Sequence, residues 1–329
     1  METETTPSPA AGENRVAIIG AGHVGATTAY ALLQSTLVRD ILLLDSDAEK
    51  AEGEAMDLSH AVPLGPPVSV RAGTYAEAAE SAIVVVTAGA GSTPGESRLD
   101  LLERNAPIVR DCVTQLRENG FDGILIVVTN PADVLTQVAQ EASGLPPERV
   151  IGSGTLIDTA RLRQVLGEAL KIDPRAVEAF IVGEHGDSEV AAFSCAHIAG
   201  VALSDFAAGS DPPTVLDYDA IQTQVRRAAP KVVERKGNTE FAIASSVREI
   251  CEAILRDEKT VLAVSTRLSG QYGGLPNVYL GTPCVVGAEG VERVLELPLS
   301  DTELTALRHS AEILAEAVAS VSQDGGGEK

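Results

Sequence analysis

Arg15-Val16-Ala17-Ile18-Ile19-Gly20-Ala21-Gly22-His23-Val24-Gly25 decides the fold of this chain. A short β-branched run ends in glycine, and Gly20, Gly22 and Gly25 take the GxGxxG spacing. Ala/Thr/Leu-rich helical sequence follows to about Ser35. Taken alone, the motif is a common glycine turn. Its setting gives it meaning, because a strand precedes it, a helix follows, and a second apolar run, Ile41 to Leu44, ends in Asp45 twenty residues after Gly25. Glycines in such a turn let the main chain approach a pyrophosphate, and the helix start offers free N–H groups and a positive dipole end. Asp45 would accept hydrogen bonds from both ribose hydroxyls and would repel a 2′-phosphate, so NAD is expected rather than NADP. Gly20, Gly22, Val24, Gly25 and Asp45 are therefore the first candidate cofactor residues, and His23 is expected to line the turn.

The same rhythm continues outward. Helical sequence from Asp47 to Leu58, a weak strand at 68–70 and strong strands at Ile83 to Val86 and Ile124 to Val128 follow, separated by helical stretches at Leu99 to Arg117 and Ala132 to Ala142. Uninterrupted apolar strands alternating with helices predict a doubly wound parallel sheet covered on both faces. Val150-Ile151-Gly152 reads as its last strand.

Beyond 152 the rhythm changes. A helix is expected from Thr155 to Leu170, then strands over Ala176–Val182 and Val190–His197 without a helical crossover. Helices are expected over Asp217–Arg235, kinked or broken at Pro230, and over Asn238–Leu255. Two or three strands fall between Val261 and Val286, and an amphipathic helix carrying Leu304, Leu307, Ala311, Leu314 and Val318 closes the chain. The fold class is α/β: a Rossmann-type sheet over 15–152, followed by an α+β catalytic unit over 153–322, with a disordered leader at 1–14 and a flexible tail at 323–329.

The net charge of −22 argues against nucleic acid or an anionic membrane surface as partner. Four dispersed cysteines without a CxxC pair predict neither a disulfide framework nor a metal site, and suit a reducing, cytoplasmic setting. The first residues lack the basic start and apolar core of a signal peptide, and no apolar run reaches membrane-spanning length. The expected partner is a small molecule. In so acidic a chain, an anionic one needs deliberately placed arginines.

The second decisive stretch is Gly183-Glu184-His185-Gly186-Asp187-Ser188, a glycine-bracketed histidine after the strand-like Ala179-Phe180-Ile181-Val182. A histidine in such a turn can hold or release a proton near neutral pH. A surface turn is the commoner fate of such a stretch, and the rest of the chain shifts the balance. Asp158 and Arg161 stand at i,i+3 at the start of a helix, on one face. An aspartate would hold the tautomer of His185 and raise its pKa, and an arginine would fork onto a carboxylate. Thr87, Ala88 and Gly89 follow the 83–86 strand at the sheet edge where ligands bind, and Asn130 ends the next strand there. The glycine-rich stretch 88–98 has the composition of a mobile lid, with Arg98 at its far end placed to polarise a carbonyl.

Gly20-x-Gly22-x-x-Gly25, Pro94-Gly95-Glu96-Ser97-Arg98, Val128-Thr129-Asn130-Pro131, Asp158-x-x-Arg161, Gly183-Glu184-His185-Gly186-Asp187 and Lys236-Gly237-Asn238-Thr239 occur in this order. Together, over about Arg15 to Val321, they resemble the L-lactate/malate dehydrogenase family, and its lactate branch more closely. The resemblance implies His185 as proton donor and acceptor with Asp158 as its partner, Arg161 as carboxylate anchor and Arg98 as carbonyl polariser. Asn130 and Thr239 would line the substrate site, and Ile243 would pack on the nicotinamide. It also implies NAD as cofactor and a homo-oligomer, a tetramer or a dimer. Two departures stand out. Ser92 holds the position of a glutamine in lactate enzymes and an arginine in malate enzymes, so malate's second carboxylate would lack its usual arginine and the smaller side chain would admit a bulkier 2-oxo acid than pyruvate. An enzyme for a bulkier 2-oxo acid and, as a member of the same family, a malate dehydrogenase are the alternatives to pyruvate reduction. Arg163 matches half of a sugar-bisphosphate-binding pair, but Glu178 replaces the histidine, and its charge disfavours such activation. Outside the enzyme class, the remaining alternative is a non-catalytic NAD-binding sensor.

Overall fold

The computed structural model describes residues 14–91 and 97–323. The leader and the tail lie outside them except for Asn14 and Gln323, and so does Ser92. The first half is built as strands β1 (Arg15–Ile19), β2 (Asp40–Leu44), β3 (Ser69–Ala72), β4 (Ile83–Val86), β5 (Ile124–Val127) and β6 (Val150–Gly152). Helices α1 (His23–Leu33), α2 (Ala48–Ala61), α3 (Tyr75–Ala78), α4 (Arg98–Glu118) and α5 (Ala132–Ser143) connect them. These strands are mutually parallel in the order β3-β2-β1-β4-β5-β6, the doubly wound arrangement.

The uninterrupted apolar runs follow from burial on both faces. In β4, Val84 and Val86 belong to the core under α4 and α5, while Ile83 and Val85 belong to the opposite core with Leu32 of α1 and Val247. All four are fully buried, and each contributes about 1.5–3 kcal/mol relative to exposure.

After α6 (Leu156–Leu170) come strands of only two residues: β7 (Val177–Glu178), β8 (Ile181–Val182), β9 (Val190–Ala191), β10 (His197–Ile198) and β11 (Val201–Ala202). The long strands expected over 176–182 and 190–197 are thus fragments divided between two small sheets, β11-β10-β7 and β8-β9. A turn at Phe193–Cys195 interrupts the second run. Helices α7 (Leu203–Ala208), α8 (Tyr218–Arg226), α9 (Ala228–Lys236) and α10 (Phe241–Leu255) follow. The expected break at Pro230 falls instead at Arg227, between α8 and α9. Pro230 sits in the first turn of α9, where no intrahelical N–H bond is lost.

Strands β12 (Thr260–Arg267), β13 (Tyr279–Gly287) and β14 (Gly290–Val294) then return to the first sheet. Antiparallel pairing of β12 to β6 makes one continuous nine-stranded sheet that runs past residue 152. The C-terminal helix, Asp301–Gln323, buries Leu307, Ala311 and Leu314 in the core shared with α4 and α5.

Candidate functional site

The parallel strands end along one edge, and two sites share it. The first is a cleft of about 970 Å³ lined by Gly20, Gly22, Asp45, Thr87, Ala88 and Gly89. A Cβ at Gly25 would lie 1.8 Å from the Gly20 carbonyl oxygen, so only glycine lets α1 start this close to the β1 turn. Helix α1 has no side-chain cap and no acid in its first turn, which leaves its N-terminus open to an anion. Asp45 accepts the Ala21 N–H at 2.7 Å and the Asp47 N–H at 3.1 Å. Burial pushes its carboxyl up, but these N–H groups, Lys50 and Ser46 outweigh that and hold it below the usual range. A carboxylate, an uncapped helix start and a glycine cradle fit a dinucleotide pyrophosphate and ribose. Val24 and Ile243 pack against the same core cluster, and neither is among the residues lining the cleft.

The second site gathers residues from distant segments. His185 Nδ1 lies 2.5 Å from Asp158 Oδ2, and Arg161 Nη1 donates to Asp158 Oδ1 at 2.7 Å. Asp158 is 2% exposed and the His185 side chain 22%, so the pair is sheltered yet reachable. Burial lowers the pKa of His185, but the carboxylates of Asp158 and Asp133 prevail and raise it. Burial likewise works against ionised Asp158, whereas His185 and Arg161 hold its pKa below the ordinary value.

Arg98 begins α4, behind a capping box of Ser97 and Asp100. It forms an ion pair with Glu184 and donates to the His185 carbonyl oxygen at 2.7 Å. A Cβ on Gly186 would fall 2.1 Å from its Nη1, so that glycine makes room for the guanidinium. Asn130 is exposed at the end of β5, and Thr239 is half-buried before α10. Among the described residues, neither is hydrogen-bonded to the His185 cluster.

Four participants escape a reading of the sequence. Glu184 holds Arg98, and it also accepts from Ser188 Oγ at 2.5 Å. Asp133 Oδ2 accepts the His185 main-chain N–H at 2.8 Å. Glu189 is 2% exposed, with Oε1 unpartnered; burial pushes its pKa up to about 8, and Asp158 adds to the rise. Asn105 ties two loops of the edge together, donating to the Asn130 carbonyl at 2.8 Å and accepting from the Ala90 N–H at 2.7 Å. Asn105 had a signal, as a polar residue at an apolar position of an amphipathic helix. The three acids had none beyond their nearness to quoted motifs. Arg163 donates to the Ala179 carbonyl at 3.1 Å and stacks 5.3 Å from the Phe180 ring centroid, with Glu178 among the charges acting on it.

A dinucleotide cleft beside a carboxylate–imidazole–guanidinium cluster, on a doubly wound sheet, defines the class as a nicotinamide-dependent oxidoreductase. Comparison with known proteins narrows it. Residues 14–152 match the lactate/malate dehydrogenase NAD-binding domain, and residues 155–324 match the alpha/beta C-terminal domain of the same family. L-lactate dehydrogenase of Thermoanaerobacter sp. (strain X514) is 47% identical over 92% of this chain and 97% of its own length. L-lactate dehydrogenase 2 of Bacillus cereus (strain ATCC 14579) is 46% identical over 94% of this chain and 99% of its own. Among solved structures, a lactate dehydrogenase from a Medee basin deep-sea metagenome library superposes with a TM-score of 0.91 at 40% identity, covering 94% of this chain and 99% of the other. The minor L-lactate dehydrogenase of Enterococcus mundtii in its ligand-bound form gives 0.89 at 38% identity, covering 94% and 98%. The chain belongs to the lactate/malate dehydrogenase family and is an NAD-dependent oxidoreductase.

Proposed function

We propose that the chain is an L-lactate dehydrogenase, converting pyruvate, NADH and a proton to L-lactate and NAD⁺. The observation that carries the reading is the Asp158–His185–Arg161 cluster beside the dinucleotide cleft. The names of the relatives favour lactate over malate. Reduced nicotinamide supplies the hydride. The protein supplies the rest. Asp158 engages Nδ1 of His185 and leaves Nε2 to give its proton to the carbonyl oxygen as hydride reaches the carbonyl carbon. In lactate oxidation the same nitrogen takes the proton back. Arg161 spends one guanidinium nitrogen on Asp158, and its others receive the substrate carboxylate. Arg98, released from Glu184, polarises the carbonyl. Asn130 and Thr239 line the substrate, and Ile243 backs the nicotinamide.

Ser92 lies outside the described residues, and its place as the specificity position is part of the proposal. So is the functional division into a cofactor half to residue 152 and a catalytic half over 153–322. Assembly as a homo-oligomer, a tetramer or dimer, is supported by exposed Tyr30, Met56, Leu64 and Phe241. A cytoplasmic location is supported by four free cysteines, and no helix among the described residues is long and apolar enough to cross a membrane.

A panel of pyruvate, oxaloacetate, 2-oxobutyrate and phenylpyruvate with NADH and NADPH tests the reading. Pyruvate with NADH is expected to give the highest kcat/KM, and S92R to raise oxaloacetate use. NADH binding without turnover on any member would overturn it.

A further inference from the structure

The proton-transfer reading uses one carboxylate beside His185, yet a second reaches it. Asp133 stands in the first turn of α5 and is 2% exposed. Both of its oxygens are engaged by neutral donors: Oδ2 by the His185 main-chain N–H at 2.8 Å, and Oδ1 by Ser265 Oγ of β12 at 2.6 Å. Asp133 forms no ion pair among the described residues. A buried carboxylate without a cation is costly, and an asparagine could accept the His185 N–H through its oxygen and donate to Ser265 Oγ without burying a charge. The charge itself therefore needs an explanation.

We propose that Asp133 is a positioning residue of the proton-transfer site: its N–H contact sets where the His185 turn begins, and its negative charge joins that of Asp158 in holding the imidazolium. This rests on His185 being the proton donor.

The surrounding charges leave it that role. From α6, Asp158 favours the imidazolium and Arg161 opposes it. From α4, Arg98 is occupied by Glu184. Glu189, in the histidine turn, has its pKa pushed up to about 8 by burial and stays uncharged at neutral pH. Arg226 of α8 is bonded to the Glu189 main-chain carbonyl at 2.6 Å. Burial pushes Asp133 itself up to about 6, although Ser265 and the His185 N–H pull the other way. Its charge is thus present at pH 7 and above, the range over which His185 must keep its proton for reduction. The start of α5, with no side-chain cap, adds a favourable dipole.

The test is the NMR titration of His185, one of five histidines in the chain, assigned by its loss in H185Q. D133N keeps an oxygen acceptor for the His185 N–H and removes the charge, its amide donating to Ser265 Oγ where the carboxylate accepted from it. The His185 midpoint is expected to fall by roughly half a unit to one unit, less than for a directly paired carboxylate. The alkaline limb of kcat/KM for pyruvate should move to lower pH by the same amount. S265A, which strips a donor from Asp133 and favours its protonated form, should shift the midpoint in the same direction by less, and it decides the matter if D133N does not fold. An unmoved midpoint overturns the proposal. A shifted midpoint in a protein that reduces no 2-oxo acid would overturn the dehydrogenase reading and leave the role of Asp133 standing.

Discussion

The dinucleotide cleft and the proposed proton-transfer site lie on one sheet edge but are made from different materials. The cleft is mostly main chain: a glycine turn, an uncapped helix start, and one carboxylate twenty residues on. The proton-transfer site is mostly side chains, drawn from α4, α5, α6 and the histidine turn, joined by the His185 main-chain N–H and carbonyl and held by buried carboxylates. A site made of backbone tolerates side-chain change wherever no Cβ intrudes. A site made of buried charge depends on every partner, because each group left alone bears its desolvation cost.

Three changes probe that contrast. The largest effect is expected from H185Q, which should lower kcat for pyruvate by about 10²–10⁴-fold, the range of general acid catalysis, while NADH affinity measured by fluorescence stays close to wild type. A kcat within a few-fold of wild type would show that the two sites are not divided as described.

G25A attacks the cleft alone. Its Cβ would meet the Gly20 carbonyl, and overpacking of that kind costs about 1–3 kcal/mol. NADH binding should weaken by roughly tenfold or more while the His185 titration is preserved. Wild-type NADH affinity would mean that the close approach of α1 to the β1 turn is not what forms the site.

The smallest effect is expected from E189Q. Glu189 has its pKa raised in the folded protein to about 8, against about 4.3 in the unfolded chain. Between those values the folded state holds a proton that the unfolded state has released, so stability falls as pH rises through this window and levels off above it. E189Q removes that slope, so its Tm should exceed wild type by a few degrees at pH 8 and match it near pH 4.5. Parallel Tm curves across this range would show that the buried carboxyl does not titrate as described.

The contrast also separates what was legible in the sequence from what was not. Five of the six parallel strands were readable because burial on both faces leaves an apolar run, as in Ile83 to Val86, whereas the more exposed β3 gave only a weak signal at 68–70. The cleft was readable because its parts are local and glycine spacing is a backbone requirement. The Asp158–Arg161 pair was readable from i,i+3 spacing, and the structure joins the two at 2.7 Å. The fragments β7 to β11 were not, because two-residue strands carry no periodicity. The attachment of β12 to β6 was also out of reach, since antiparallel pairing across more than a hundred residues leaves no local mark.

Sequence alone therefore determined the class of fold, the preference for NAD, and the types of residue from which the chemistry is built, because each rests on short-range spacing or on composition. Tertiary structure decided which carboxylates surround His185, that Arg98 rests on Glu184, and that Asp133 and Glu189 are buried. Electrostatic influence depends on distance through space and on exclusion of water, and neither is set until the chain has closed on itself.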